Sequence, residues 1–420
     1  MFKIPLIFKN KQFLRLWANQ VFLQVGVNVC NYTVLLILAD RTHSPFVQAQ
    51  FFVALTLPAF VFGLIAGSIV DMVNRKALML TSNIILAIMF AIYAFAGNTL
   101  ITFAIIAFLT SSVARFFVPA QAATIPLIVG KETLHLANAI FLFTLMGSVA
   151  LGYSIASPII DIFGGLGTRG ELAPFLLSSL FVFIGLVLLL GFKEVKLLKP
   201  EVPQGTIIKK TFLLFWQTVK EVRVNKKISL PILFLIFVEL SVGILNVVFL
   251  EYVRRFLNLP LTSVTVVLIL PLVFGLIFGL TMLKKIHGKY GYRLSIHKAV
   301  LGIGVLFLLL GMLPFLARGD LGTIVIRIFT SVAAFITGIL ILVISVQSRN
   351  LLQTSSNISM HGRIFSFLDV MIALVTPIPV LFIGFFADKI SLPGTFIFIG
   401  VGTMVGAFIG SRMFFGRVIR

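Results

Sequence analysis

Twelve stretches of this 420-residue chain are long and apolar enough to cross a lipid bilayer, and no other feature of the sequence limits the fold as severely. A hydrocarbon core about 30 Å thick takes roughly 20 apolar residues in a helix. Segments of that kind fall at approximately 13–39, 46–70, 77–96, 99–127, 135–162, 172–192, 228–252, 261–283, 296–317, 321–347, 361–387 and 393–414. Inside hydrocarbon every backbone N–H and C=O must find a partner within the protein, so spans of this length are helices. The first stretch is too long and too rich in amides for a cleaved signal peptide.

A chain built this way has little left for a water-facing surface. Charged residues make up 11% and hydrophobic residues 59%, against about 25% charged in soluble domains. That excludes a soluble globular enzyme and a disordered chain. The net charge of +21 would point to nucleic acid in a polar protein; here it sorts by side of the membrane. Of 34 Lys and Arg, 26 fall in the termini and alternate connections on one face, and six (Arg41, Arg169, Arg254, Arg255, Arg318, Lys389) fall on the other. The positive-inside rule then places both termini in the cytoplasm of a multi-pass plasma (inner) membrane protein. No nucleic-acid partner is expected.

Chemistry on covalent bonds has no foothold. Cys30 is the single cysteine, which excludes disulfides. The five histidines (43, 135, 287, 297, 361) sit at span ends or in loops without metal-ligand spacing, and no Gly-Lys-Ser/Thr phosphate loop is present. The chain reads as a non-enzyme with no metal and no cofactor.

One connection is long. Residues 193–227 separate an N-terminal set of six spans (1–192) from a C-terminal set (228–420). Within it, 207–222 alternates apolar and basic residues at helical spacing, as in a helix lying on the inner leaflet. Anionic lipid holds such a helix by about 1 kcal/mol per basic residue. The halves echo each other: Ile140-Phe-Leu-Phe143 opens the fifth span and Ile364-Phe-Ser-Phe367 opens the eleventh. Each span then meets prolines (Pro158; Pro377, Pro379) and ends near an acid and a glycine. Repeated halves of this kind point to a transporter.

After the second span stands Gly67-Ser-Ile-Val-Asp71-Met-Val-Asn74-Arg75-Lys76. It resembles the signature loop of the major facilitator superfamily. The resemblance implies an all-α integral membrane fold of twelve transmembrane helices in two pseudo-symmetric six-helix bundles, working by alternating access. It also implies a gating latch between Asp71 and the start of the eleventh span, near Ser359 to Gly362. Gly67 allows close helix approach. Asp71 can accept from backbone amides or from Arg75. Asn74, where the family has Gly, is expected to take a left-handed conformation, and Met72 stands where the family has Arg. The alternative is that Gly67, Asp71 and Arg75 only fix a turn. Arg115-Phe-Phe-Val-Pro119-Ala-Gln121, Ala137-Asn138-Ala139 and Gly362-Arg363-Ile-Phe365-Ser366 further resemble the macrolide-efflux and enterobactin-exporter branch. The antiporter glycine series survives only as Gly147, Gly152 and Ser157-Pro158.

Four charged side chains lie well inside spans: Arg115, Glu239, Arg327 and Asp369. Each costs about 2.5–3.5 kcal/mol at the centre of an inserted helix, so they should face a cavity or one another. Arg115 and Asp369 both lie toward the cytoplasmic side and are expected to pair, either as a gate or as a static bridge. Glu239 lies near mid-depth, with Gly243 and Asn246 on its face and no base evident at its level. It is the leading candidate for the coupling proton, together with Asp369; a permanently protonated packing residue is the alternative. Arg327 is placed to pair with Glu251 or to attract an anionic substrate group. On the first span Gln20, Gln24, Asn28 and Asn31 share one face beside Tyr32, either lining the cavity or bonding to neighbouring helices. Thr330, Ser331 and Thr337 extend the polar lining. With 44 Phe against 6 Tyr and 2 Trp, such a lining suits an apolar or amphipathic cargo.

The sequence therefore reads as a monomeric secondary transporter, proton-coupled, exporting an amphipathic small molecule of drug or siderophore type. Its partners are that substrate, protons and anionic lipid. A lipid or lysophospholipid flippase of the same fold is the rival within the class. A non-transporting receptor or assembly partner is the rival outside it.

Overall fold

The structure is a computed structural model that describes residues 6–70, 72–97, 99–130, 132–193, 204–317, 319–356 and 361–415. Among them there are helices and no strands. In chain order the helices are α1 (Lys11–Thr42), α2 (Pro45–Val70), α3 (Arg75–Phe95), α4 (Leu100–Ile128), α5 (Leu134–Ile162), α6 (Leu172–Leu190), α7 (Gln204–Val224), α8 (Lys226–Phe256), α9 (Leu270–Leu316), α10 (Gly319–Ser355), α11 (His361–Val375), α12 (Pro377–Lys389) and α13 (Leu392–Phe415).

Local chemistry sets where they start and break. Asn10 Oδ1 accepts from the amides of Gln12 and Phe13 ahead of α1. Thr99 caps α4 through Thr102 N, and Asn225 caps α8 through Lys227 N, each satisfying a donor the helix cannot. The expected eleventh span is broken in two, because Pro377 has no N–H to continue the ladder. At the break Ile372 O accepts twice from Thr376, from its N at 3.0 Å and from its Oγ1 at 2.7 Å. The eighth and ninth spans run together as α9, with a non-helical Gly291 (φ 66°, ψ −177°) between them. Eleven stretches are therefore of membrane-crossing length and apolarity, and one of them, Leu261–Leu316, has 56 residues and room for two crossings.

Two compact units divide the described chain. The first comprises Met1–Arg41 and Val53–Trp216; the second comprises Thr42–Phe52 and Gln217–Arg420. In the first, α3 packs on α4 and α6, with Tyr93, Phe103 and Phe175 clustered at centroid distances of 5.3–6.3 Å. Helix α1 lies close to α6 at Gly26, where a Cβ would fall 2.9 Å from Ser178 O. It lies close to α5 at Gly152, where a Cβ would fall 2.5 Å from Asn28 Cβ. In the second unit α9 packs on α10 and α13, and α8 on α10, α11 and α12. Polar side chains close the helix ends in the first unit: Arg15 donates to Gly191 O, Lys76 Nζ to Leu190 O at 3.2 Å and Asn10 Nδ2 to Ile128 O at 2.6 Å. Cations at a helix C-terminus also meet the negative end of its dipole.

Candidate functional site

Three charged groups of the second unit, Glu239, Arg349 and Asp369, stand on α8 and on two helices that pack on it, α10 and α11. Glu239 stands about 20 Å along α8 from its start at 1.5 Å per residue, and its side chain is exposed. Arg349 on α10 attracts it and Asp369 on α11 repels it. Asp369 is likewise exposed and Arg349 is half-buried. A base is thus in electrostatic reach of Glu239, contrary to the reading that none stands at its level. The error has a physical origin. Hydropathy marks where the apolar stretch ends, near residue 347, but the α10 backbone continues helically to Ser355. Arg349 remains on a helix that packs on α8, and its aliphatic stem tolerates apolar surroundings.

The face around Glu239 is only partly as expected. Gly243 is buried, and a Cβ there would fall 2.9 Å from Phe52 Cζ and 3.2 Å from Val380 Cγ2, so it serves close packing. Asn246 is half-buried and donates to Val242 O at 2.9 Å. Thr330 and Thr337 of α10 are buried at 0% and 7% exposure, and Thr337 borders a small, mostly apolar cavity with Leu245, Phe249 and Ile303.

Arg327 does not pair with Glu251. Its Nε donates to Leu257 O at 2.8 Å and its Nη2 to Asn258 O at 3.2 Å, closing the C-terminus of α8. Asn258 takes a left-handed φ of 49° there. The nearer arginines Arg254 and Arg255 take Glu251 instead, being three and four residues along the same helix.

In the first unit the amide face of α1 bonds partly to its neighbour. Asn28 Nδ2 donates to Gln24 O at 2.8 Å and to Ser148 Oγ of α5 at 3.2 Å. Buried Tyr32 stacks on Tyr153 of the same helix α5, with centroids 4.2 Å apart. Trp17 Nε1 donates to Thr144 Oγ1 at 2.8 Å. Gln24 and Asn31 are half-buried, and Gln20 is buried. Arg115 is half-buried on α4. Asn19, which the four-residue spacing skips, is fully buried against Gly185 of α6.

Of the signature loop, Asp71 and the side of Gly67 lie outside the described residues, as do Ser359 and Met360 at the expected latch. Asn74 is not left-handed. It has φ −66° and ψ 112° and caps α3, its Oδ1 accepting from Ala77 N at 2.9 Å. An N-cap needs an extended backbone and a short side-chain acceptor, which Asn supplies and Gly does not. Arg75 Nη1 donates to Ala123 O of α4 at 2.9 Å.

The Major Facilitator Superfamily profile matches residues 16–356. An uncharacterized MFS-type transporter, YkuC of Bacillus subtilis (strain 168), is 28% identical over 184 residues, which span 42% of this chain and 42% of that relative. The fold is similar to the crystal structure of the nucleoside transporter NupG (TM-score 0.67, 13% identity, 96% of this chain and 99% of that one). It is also similar to the POT family transporter PepTSo (TM-score 0.73, 12% identity, 95% and 97%). A POT family transporter in complex with a thioalcohol-conjugated peptide gives a TM-score of 0.73 at 13% identity, covering 97% and 96%.

Proposed function

Since this chain belongs to the major facilitator superfamily and is a multi-pass membrane transporter, we propose that it is a secondary exporter of amphipathic, cationic small molecules in exchange for protons. What supports this reading is that Glu239 of α8 feels the charges of Arg349 on α10 and Asp369 on α11, two helices that pack on α8; we take the three as one site. Two carboxylates around one guanidinium leave a net charge of −1. One proton brings the trio to neutrality, and so does one cationic group of a substrate. A site that either ligand completes, and both together overfill, exchanges one for the other. The position of Glu239 and Asp369 inside spans supports this, because a charge facing hydrocarbon is costly and one facing a wet cavity is not. The phenylalanine-rich composition suits the apolar part of the cargo.

The remaining parts of the cycle follow the superfamily pattern. Asp71 latches against the start of α11 when the cytoplasmic side is closed, with Gly67, Asn74 and Arg75 shaping the loop. Arg115 and Asp369 form a pair that depends on the state of the cycle. Gln24, Asn28, Asn31, Tyr32, Asn246 and Arg327 border the substrate path. The protein sits in the plasma membrane as a monomer with both termini cytoplasmic, and α7 rests on anionic lipid. The resemblance to the macrolide-efflux and enterobactin-exporter branch supports efflux over uptake. A choline or ethanolamine lysophospholipid also presents an ammonium group, on a zwitterionic headgroup, together with an apolar tail, so flipping of such a lipid is the second reading.

Thermal-shift screening of the purified protein against cationic drugs, siderophores, lysolipids, nucleosides and peptides identifies the cargo class. In proteoliposomes the best ligand should then move uphill when a pH gradient is imposed and stop when the gradient is collapsed. Flux indifferent to the gradient contradicts the proposal.

A further inference from the structure

The turn between α1 and α2 is held by an ion pair on one side and by two arginine hydrogen bonds on the other. On the α1 side Arg41 Nη2 donates to Glu171 Oε2 at 2.6 Å, and Glu171 is 2% exposed. Glu171 Oε1 accepts from Gly167 N at 2.7 Å. Two residues after Arg41 the contacts change unit. His43 Nδ1 accepts from Arg254 Nη1 of α8, and the His43 carbonyl accepts from Arg255 Nη2 at 3.5 Å. Glu251 orients both arginines: its Oε1 accepts from Arg254 Nη2 at 2.5 Å and from Arg255 Nε. Glu251 itself is fully buried. His43 has a left-handed φ of 53°, a conformation a histidine keeps only where surrounding contacts fix it.

The hydrogen bond to Arg254 specifies the charge of the ring. A guanidinium can only donate, so Nδ1 accepts and the ring proton is on Nε2. A second proton removes the acceptor. It also places a third cation beside two arginines that share one carboxylate. The other charges near the turn belong to α1 and α12. Asp40 and Arg41 lie on α1, and Arg41 is held by Glu171. Helix α12 packs on the start of α2, where a Cβ on Gly384 would fall 2.7 Å from Ala49 Cβ and 2.9 Å from Pro45 O. It ends in one acid and one base, Asp388 and Lys389.

We propose that His43 is an acid-released pin: neutral, it holds the first turns of α2 (Thr42–Phe52) on α8, and protonated, it lets them go. Histidine is the side chain whose ordinary charge change falls between about pH 5 and 8. His43 is exposed, so its proton comes from the water on its own side, the exterior by the charge bias. Arg41 stays paired with Glu171 when the pin opens, so α1 is not released with it. The pin lies about 22 Å along α8 from Glu239 at 1.5 Å per residue, and it holds or fails independently of the coupling site.

The test is a distance measurement within the second unit. Spin labels on Gln50→Cys and Pro260→Cys report how far the start of α2 stands from the end of α8; Cys30, being buried, takes no label. Pulsed dipolar spectroscopy on the full chain in nanodiscs, frozen at pH 8 and pH 5.5, should show a longer-distance population growing at least about fivefold in acid, as a histidine-gated contact requires. His43→Asn keeps an acceptor near the place of Nδ1, tolerates the left-handed backbone and takes no proton, so its distances should stay short at both pH values. His43→Lys, cationic throughout, should show the long distance at both. An unresponsive parent, a His43→Asn variant that still responds, or short distances in His43→Lys at both pH values would overturn the proposal.

Discussion

Glu239 and Glu251 lie twelve residues apart on α8 and do opposite work. Glu239 is exposed, within reach of one base and one acid; Glu251 is buried and accepts from two arginines. Glu251→Ala leaves Arg254 and Arg255 beside each other without their carboxylate. It should cost about 1–3 kcal/mol, below the figure for a fully buried pair because both arginines reach solvent, and it should lower the melting temperature. Glu239→Gln removes no such partner and should leave the melting temperature nearly unchanged. Differential scanning fluorimetry of the two variants separates the roles. Asn74 gives a second comparison. As an N-cap, Asn74→Ala should cost about 1 kcal/mol and Asn74→Gly only a few tenths. A left-handed Asn74 would instead make Gly the stabilising choice, and chemical denaturation of the two variants tells these apart.

At the scale of elements, close approach rests on glycines that sequence periodicity cannot rank. A Cβ on Gly275 of α9 would fall 1.9 Å from Phe335 O of α10, and one on Gly338 of α10 would fall 2.1 Å from Leu272 O of α9. The two helices touch backbone to backbone at both points, as small residues allow in membranes. Gly338→Val should destabilise the protein by at least about 1–3 kcal/mol through overpacking. Gly147→Ala should be neutral to slightly stabilising, because no described residue lies within 4 Å of a Cβ there and Ala is the better helix former. Thermal unfolding in detergent checks both. The remnant of the antiporter glycine series is thus uneven: Gly152 meets Asn28 and Val29, and Gly147 meets nothing. The spans themselves were legible from the sequence because a bilayer demands one kind of segment, and twelve such segments repeat it. The break at Pro377 falls inside a span expected to run unbroken over 361–387, because a proline can be tolerated in a span or can end a helix, and its neighbours decide which. Arg349 was missed because a hydropathy boundary is not a helix end, and Asn74 because a family glycine was read as a conformation when the position needed a cap. The partners of Asn28, Arg327 and Glu251 depend on which helices meet, and no spacing rule gives that.

The molecule as a whole sorts its charge. A net +21 on so apolar a chain is expressed mostly in the connections, where it sets topology and speaks little of partners. The two compact units do not divide where the spans are counted: the first turns of α2 belong with α8 and α12 through Phe52, Ala49 and Gly384. That is a tertiary contact with no trace in composition. Small charged groups inside the spans remain, and the proposed mechanism rests on one trio of them, whose single negative charge a proton and a substrate cation compete to neutralise. Competition of that kind has a direct signature before any membrane is crossed. Adding a cationic ligand to purified protein in weakly buffered solution, at a pH where the trio is protonated, should release about one proton per ligand bound, read with a pH-sensitive dye, and Glu239→Gln, whose trio is already neutral, should bind the ligand much more weakly and release no proton. No proton release from the parent protein on saturable binding, or the same release from Glu239→Gln, would contradict the account.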